Sequence, residues 1–161
     1  MAGLQARVRG LTLPVLAALL LLLAGLALWQ EQASAARADA SRESLAAATA
    51  AARAIFSYDH KGFDAAVANG RAFTAGEFTR EYAQTTNALR EAVISEQATV
   101  RAEVSAAGVI SAEADRVEVL LYVNQFRKNV NIEGEKMDQN RVVLTMARTP
   151  DGWKVVQAAA I

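Results

Sequence analysis

The stretch Leu11–Trp29, LTLPVLAALLLLLAGLALW, decides how the chain is organised, because none of its nineteen residues carries a charge. In an α-helix these residues rise about 28 Å, close to the roughly 30 Å hydrocarbon thickness of a bilayer. A helix is the single-segment structure that satisfies all of its own backbone hydrogen bonds inside lipid. The stretch therefore predicts a transmembrane helix.

The flanks of this stretch predict its orientation. Arg7 and Arg9 precede it and Glu31 follows it. By the positive-inside rule, residues 1–10 stay in the cytoplasm and everything after Trp29 is extracytoplasmic. A cleaved signal peptide is the alternative, since Ala33-Ser34-Ala35 resembles a cleavage site, but the apolar run exceeds the usual h-region of about 7–15 residues. We therefore expect a retained anchor in the cytoplasmic membrane.

Small residues recur on one face of the predicted membrane helix. With an offset of seven residues, that face holds Ala17, Ala18, Ala24, Gly25 and Leu28. Small residues let membrane helices approach each other closely, so this face is a candidate for packing against a partner helix. Ordinary alanine and glycine content of membrane helices explains the pattern equally well.

Composition excludes several classes of function. Lys plus Arg and Asp plus Glu number 17 each, so the formal net charge is zero and no nucleic-acid partner is indicated. One histidine and no cysteine exclude disulfides and thiolate metal sites and argue against a transition-metal centre. No nucleotide-binding or hydrolase motif is present, and we expect no cofactor and no metal.

An alanine-rich segment, Gln30–Ser57, follows the membrane helix and contains neither Gly nor Pro. Its apolar stripe has spacings of three and four and comprises Leu45, Ala48, Ala52, Ile55 and Phe56. This pattern predicts a helix that packs on a core. Nothing after Trp29 requires a break, so the membrane helix is expected to continue into this segment as a stalk.

Two shorter helices are predicted next. Phe63–Phe73 forms the first, and Thr74-Ala75-Gly76-Glu77 has the spacing of a capping box that starts the second. The second helix carries an apolar stripe and should end near Gln97. That stripe comprises Phe78, Tyr82, Thr85, Leu89 and Val93.

From residue 100 the hydrophobic period changes to two, which indicates strands. Gly108 predicts a bulge or bend in the first strand. Leu120 and Tyr122 make the outward face of the next strand apolar as well, so that strand should lie inside the sheet. The expected strands are 100–106, Arg116–Phe126, Arg141–Arg148 and Trp153–Ala158, with a long loop at Lys128–Gln139 and a turn at Thr149–Gly152.

The order of elements predicts an α+β fold in which helices pack on a curved antiparallel sheet. The expected segments are the cytoplasmic residues 1–10, the transmembrane helix 11–29, the alanine-rich helix 30–57 and the remaining extracytoplasmic domain 58–161.

Several short motifs resemble those of Mce-associated membrane proteins, small actinobacterial proteins linked to the mammalian-cell-entry (Mce) lipid importers. The motifs span Ser57–Ile161 and occur in the family's order: Ser57-Tyr58-Asp59, Phe63-Asp64, Thr74-Ala75-Gly76-Glu77-Phe78, Glu81-Tyr82, Ala107-Gly108-Val109, Val123-Asn124-Gln125 and Asp151-Gly152-Trp153. The last hairpin also resembles the cone-shaped nuclear-transport-factor-2-like superfamily.

The resemblance implies a non-catalytic accessory or assembly subunit whose partners are the membrane and subunits of a Mce-type importer. The alternatives are an extracytoplasmic lipid-binding carrier and a scaffold subunit of a secretion apparatus. A pocket of that fold would be lined by aromatic and apolar residues that could equally fill a solid core. These are Phe56, Phe63, Phe78, Tyr82, Leu89, Tyr122 and Trp153.

Catalysis is the least favoured interpretation. Enzymes of the cone-shaped superfamily pair an acid with a tyrosine, for which Asp64 and Tyr58, Tyr82 or Tyr122 would be the candidates here. We expect Asp64 to cap its helix instead. Asp59-His60 is expected to form a turn with a solvated imidazole.

Overall fold

The computed structural model describes the backbone from Ala2 and the side chains from Leu19, in each case as far as Ile161. It divides into two compact units, Met1–Arg37 and Ala38–Ile161. The helices are α1 (Ala2–Ile55), α2 (Phe63–Arg71) and α3 (Glu77–Ser95). The strands are β1 (Tyr58–Asp59), β2 (Thr99–Ala112), β3 (Arg116–Lys128), β4 (Lys136–Thr149) and β5 (Gly152–Ala160).

Helix α1, over Leu19–Ile55, is the one helix in the described part of the chain that is long and apolar enough to cross a membrane, and its leucine-rich part lies in the first unit. Its leucines are open to the surroundings, Leu21 being 74% exposed and Leu22 66%. A helix whose apolar side chains find no partner in the protein is suited to a lipid environment rather than to a protein core.

The second unit is built on an antiparallel sheet with the strand order β1-β2-β3-β4-β5. β3 lies in the middle, as its apolar faces predicted, and its side chains Val119 and Leu121 are fully buried. Helices pack on one face only, which confirms the α+β class expected from the sequence. The buried residues of that inner face are Val117, Val119, Leu121, Val123, Val142, Leu144, Met146 and Val155.

The alanine stripe of α1 covers this inner face. Ala48, Ala52 and Ile55 are buried as predicted, and Ser44 is fully buried beside them. Small side chains let the helix approach the sheet closely, and the large side chains of the strands then fill the space.

The predicted capping box at Thr74–Glu77 is wrong. α3 begins at Glu77 with Gly76 as its N-cap, and no side chain caps it. Thr74 lies at the edge of the sheet instead, where the Ala75 N–H donates to the Val155 carbonyl at 2.9 Å. The Thr74 hydroxyl donates to the Arg71 carbonyl at 2.8 Å, and Thr74 lies two residues before the N-cap position of α3.

The strands are longer than predicted, because polar pairs extend them. β4 starts at Lys136, so the expected loop to Gln139 ends four residues earlier. Hydrogen bonds between side-chain amides on neighbouring strands stabilise this extension; for example, Asn140 Nδ2 donates to Gln125 Oε1 at 2.7 Å. Gly108 pairs regularly with Leu120, and the bulges flank it at Val104/Ala106 and Val109/Ser111.

Candidate functional site

An apolar cavity of about 450 Å³ lies in the second unit between the end of α1, helix α3 and the inner face of the sheet. This volume falls within the range of about 300–1,000 Å³ that is typical of small-molecule pockets. We call it the apolar cavity, and its walls are Ile55, Phe56, Tyr58, Phe78, Glu81, Tyr82, Thr85, Leu89, Gln125 and Ala158.

Helix α3 supplies one whole wall of the apolar cavity. Phe78, Tyr82, Thr85 and Leu89 recur every three or four residues and so share one face of the helix. The rings of Phe78 and Tyr82 lie 6.5 Å apart in a tilted arrangement. Burial raises the pKa of the Tyr82 hydroxyl above its ordinary value, because ionisation would place a charge among apolar groups.

A second cavity of about 180 Å³ adjoins the first, and Tyr58 and Leu89 belong to the walls of both. We call it the basic cavity, because Arg127 and Lys128 line it. Glu96 lines it too, but its carboxylate accepts a hydrogen bond from Asn129 Nδ2 at 2.8 Å. Burial raises the pKa of Tyr58, an effect that the positive charge of Arg127 partly offsets.

Four of the seven predicted pocket residues, Phe56, Phe78, Tyr82 and Leu89, line the apolar cavity. The other three lie elsewhere. Phe63 is buried under the Tyr58 ring with centroids 5.7 Å apart, and Tyr122 points to the opposite face of the sheet. Gln125 and Ala158 were missed, because a strand residue at a cavity mouth has no distinguishing sequence pattern.

Trp153 joins the sheet to α1 instead of lining the cavity. Its indole N–H donates to Glu43 Oε2 at 3.1 Å, and the Arg148 guanidinium reaches the same carboxylate oxygen at 2.9 Å. Arg148 also lies 4.8 Å above the Trp153 ring. The bond partners lie 110 positions apart in the chain, so sequence spacing gave no signal for this contact.

The acid considered for catalysis, Asp64, lies in an ion pair between two helices. Both of its carboxylate oxygens accept hydrogen bonds from Arg90, at 3.0 and 2.9 Å, and this pairing lowers the pKa of Asp64. The expected cap is therefore wrong, since Gly62 occupies the N-cap position of α2 and no side chain bonds there. Asp64 is not among the residues lining the cavities described here.

The turn after β1 differs from the expected solvated histidine. The His60 side chain is only 22% exposed, because the backbone N–H of His60 donates to the Ala98 carbonyl at 3.0 Å and ties the turn to β2. Asp59 accepts hydrogen bonds from the Lys61 N–H and the Thr99 hydroxyl, both at 2.8 Å, and these lower its pKa. The Asp59 carboxylate therefore stabilises the turn through these hydrogen bonds.

Two residues of the proposed packing face of the membrane helix, Ala17 and Ala18, lie outside the part of the chain whose side chains the structure describes. Ala24, Gly25 and Leu28 are exposed in the first unit. A β-carbon on Gly25 would meet no atom within 4 Å. These residues stay candidates for helix packing.

The other face of the sheet carries a row of small and apolar residues. Gly108, Leu120, Val143 and Ala159 lie directly opposite one another across β2, β3, β4 and β5. Tyr122, 37% exposed, stands beside this row on β3. We call these five residues the outer row; they alternate with the buried inner-face residues, so they point away from the packed helices.

Sequence comparison identifies relatives in Mycobacterium tuberculosis. The chain is 38% identical over 117 residues to outer membrane protein Rv1973 of strain H37Rv, and the match spans 70% of this chain and 71% of the relative. Outer membrane protein MT2024.1 of strain CDC 1551 matches with the same identity and coverage. No model of a known protein family matches the sequence.

Solved structures share the fold of the second unit at low sequence identity. An IcmL-like type IV secretion system protein from Legionella pneumophila superposes with a TM-score of 0.62 at 19% identity, over 73% of this chain and 90% of that one. CagV, a VirB8 homologue from Helicobacter pylori, superposes at 0.59 with 11% identity over 72% and 94%. The periplasmic domain of DotI gives 0.59 at 18% identity, over 73% and 91%.

Proposed function

The chain belongs to the family of Mce-associated membrane proteins, and from this premise we propose that it is a non-catalytic accessory subunit that assembles with a Mce-type lipid importer. The structurally similar proteins are named as components of secretion systems, which fits a role in assembly rather than in chemistry. Asp64, the acid considered for catalysis, pairs with Arg90 and lines neither cavity, whereas Tyr58 and Tyr82 line the apolar cavity. Tyr122 lies on the outer face of the sheet.

The observation that carries this proposal is the outer row. The second unit completes its core on the inner face of the sheet, and yet Leu120, Tyr122 and Val143 place apolar surface on the other face. Small neighbours, Gly108 and Ala159, leave that surface flat enough for another protein to approach. Aromatic and aliphatic side chains surrounded by small ones are typical of the centre of a protein interface.

The proposed location is the cytoplasmic membrane. The named relatives are outer membrane proteins, but the candidate membrane segment of this chain is a single apolar helix preceded by Arg7 and Arg9. Proteins that span bacterial outer membranes characteristically do so as closed β-barrels with even strand numbers, whereas such a helix is the usual cytoplasmic-membrane anchor. The domain would then act on the extracytoplasmic side.

Co-purification tests the docking role of the outer row. Tyr122→Glu introduces a charge into the proposed interface, where burying it would cost several kcal/mol. We expect the full-length variant to lose the Mce-type importer subunits that the unchanged protein retains in mild detergent. Ala88→Glu introduces the same charge at an exposed position of α3 and is the matched control.

Equal recovery of importer subunits with Tyr122→Glu and Ala88→Glu would contradict the docking role. Recovery of secretion-channel subunits in place of importer subunits from the unchanged protein would contradict the Mce assignment and favour the secretion scaffold.

A further inference from the structure

We infer that the apolar and basic cavities form one groove that binds a single-chain amphiphile with an anionic head group, the alkyl chain in the apolar cavity and the head beside Lys128. This binding activity goes beyond the assembly role and does not depend on it. Fatty acids are the simplest members of this ligand class.

The shape of the groove favours an elongated ligand. The cavities share Tyr58 and Leu89, and α3 with its C-cap lines both of them from Phe78 to Glu96, a distance of about 27 Å along the helix axis. The larger cavity is wide enough for a ligand, whereas about 180 Å³ in the smaller one accommodates only a head group. A straight chain that passes the shared wall fits both spaces.

The apolar cavity has a continuous apolar wall, and the polar groups of Glu81, Thr85 and Gln125 lie beside it. Ile55, Phe56 and Leu89 present aliphatic and aromatic surface, and Ala158 leaves open the volume that a larger side chain would fill. Moving methylene groups from water onto such surface is favourable, whereas water molecules against the apolar wall would find few hydrogen-bond partners. An alkyl chain is therefore the occupant that this cavity suits.

Charge sets the orientation of the ligand. Glu81 lines the apolar cavity, and the cations Arg127 and Lys128 line the basic one. Arg127 already pairs with Asp138 through its Nε. Glu96 accepts a hydrogen bond from Asn129 but keeps its negative charge, so two cations and one anion line the basic cavity. The Lys128 ammonium has no ion-pair or hydrogen-bond partner in the part of the chain that the structure describes, so it can receive an anionic head.

Tyr58 stands where head and chain would meet. It lines both cavities and is half-buried, and its protonated hydroxyl is a hydrogen-bond donor at neutral pH. A half-buried donor in the same cavity as a lysine suits a carboxylate or phosphate oxygen.

Photolabelling of the full-length protein in nanodiscs tests the groove. The probe is a long-chain fatty acid with a diazirine at the end of its alkyl chain, and labelled peptides are mapped by mass spectrometry. We expect labels at Phe78 and Tyr82 in addition to the membrane helix, whose labelling by probe dissolved in the bilayer serves as the internal reference.

Two matched pairs of variants separate the groove from other surfaces. Ala158→Phe fills the apolar cavity and should lower groove labelling about tenfold, whereas Ala88→Phe, at an exposed position of α3 that lines neither cavity, should leave it unchanged. Lys128→Glu should lower it about threefold, as expected for an exposed ion pair, whereas Lys136→Glu should not.

Labelling confined to the membrane helix would overturn the inference, as would labelling of α3 that Ala158→Phe leaves unchanged. Equal labelling by the methyl ester of the probe, or by Lys128→Glu and the unchanged protein, would overturn the anionic head. Tyr122→Glu should retain full groove labelling, so failure of the docking role and failure of the groove are distinguishable.

Discussion

Gly70 is the residue at which α2 touches both the end of α1 and the ring of Tyr82. A β-carbon at this position would overlap the Tyr82 hydroxyl and would lie 3.1 Å from the Ala54 carbonyl oxygen. The structure shows that the missing side chain of Gly70 is what lets Tyr82 form a wall of the apolar cavity.

Gly70→Ala should therefore destabilise the second unit although alanine favours helix formation. We expect a loss of about 1–3 kcal/mol, the usual cost of inserting atoms into a packed site. Urea unfolding of the full-length protein in detergent measures the change, followed by tryptophan fluorescence in a Trp29→Phe background so that Trp153 is the one emitter.

Gly62→Ala is the control for this substitution, because a β-carbon there would meet no atom within 4 Å. Equal midpoints for Gly70→Ala and Gly62→Ala would show that Tyr82 is not held against α2.

At the scale of elements, the start of α3 is a place where the local sequence pattern and the tertiary structure disagree. Gly76 adopts φ 61° and ψ −139°, a conformation that side chains strongly disfavour. Gly76→Ala should cost about 1–3 kcal/mol, because alanine would have to adopt this disfavoured conformation in the native state. Thermal or urea unfolding of the variant measures this cost.

Glu77→Ala removes the acid that a capping box would require and is the counterpart of this change. The Glu77 side chain is 65% exposed and pairs only with Arg80, so we expect a change within about 0.5 kcal/mol. A larger loss of unfolding free energy for Glu77→Ala than for Gly76→Ala would support the capping box after all.

The periodic elements could be predicted from the sequence, and the junctions could not. The stripe at Ala48, Ala52 and Ile55 and the double apolar face of β3 each reflect burial within one element, which leaves a regular pattern. The short strand β1 and the Lys136 start of β4 depend on pairing with distant segments. Such pairing leaves no local pattern, so a turn and a loop were expected there.

The candidate site shows the same division. The α3 residues of the apolar cavity could be predicted, because helical spacing puts Phe78, Tyr82 and Leu89 on one face. Phe63 and Trp153 are buried, as the alternative of a solid core allowed. Tyr122 was assigned to the same place because it is large and apolar, but composition alone does not tell which side of a sheet a residue faces. Register decides that, and a bulge in β2 or β5 is enough to change it.

At the scale of the whole molecule, the side of the membrane on which the domain lies decides whether the proposed partners can reach it. The chain contains no cysteine, so single cysteines can be introduced one at a time and labelled with a membrane-impermeant maleimide. Gln5→Cys precedes the apolar helix, and Glu133→Cys lies at an exposed position between β3 and β4.

On protoplasts, Glu133→Cys should be labelled at once and Gln5→Cys only after lysis. The physical reason is the cost of moving Arg7 and Arg9 across the bilayer, which keeps the N-terminal flank in the cytoplasm. Labelling of Gln5→Cys on intact protoplasts would reverse the orientation and remove the domain from extracytoplasmic partners. Cleavage of a leader would give a third result. The mature protein would then carry no label in the Gln5→Cys variant even after lysis, whereas Glu133→Cys would still be labelled.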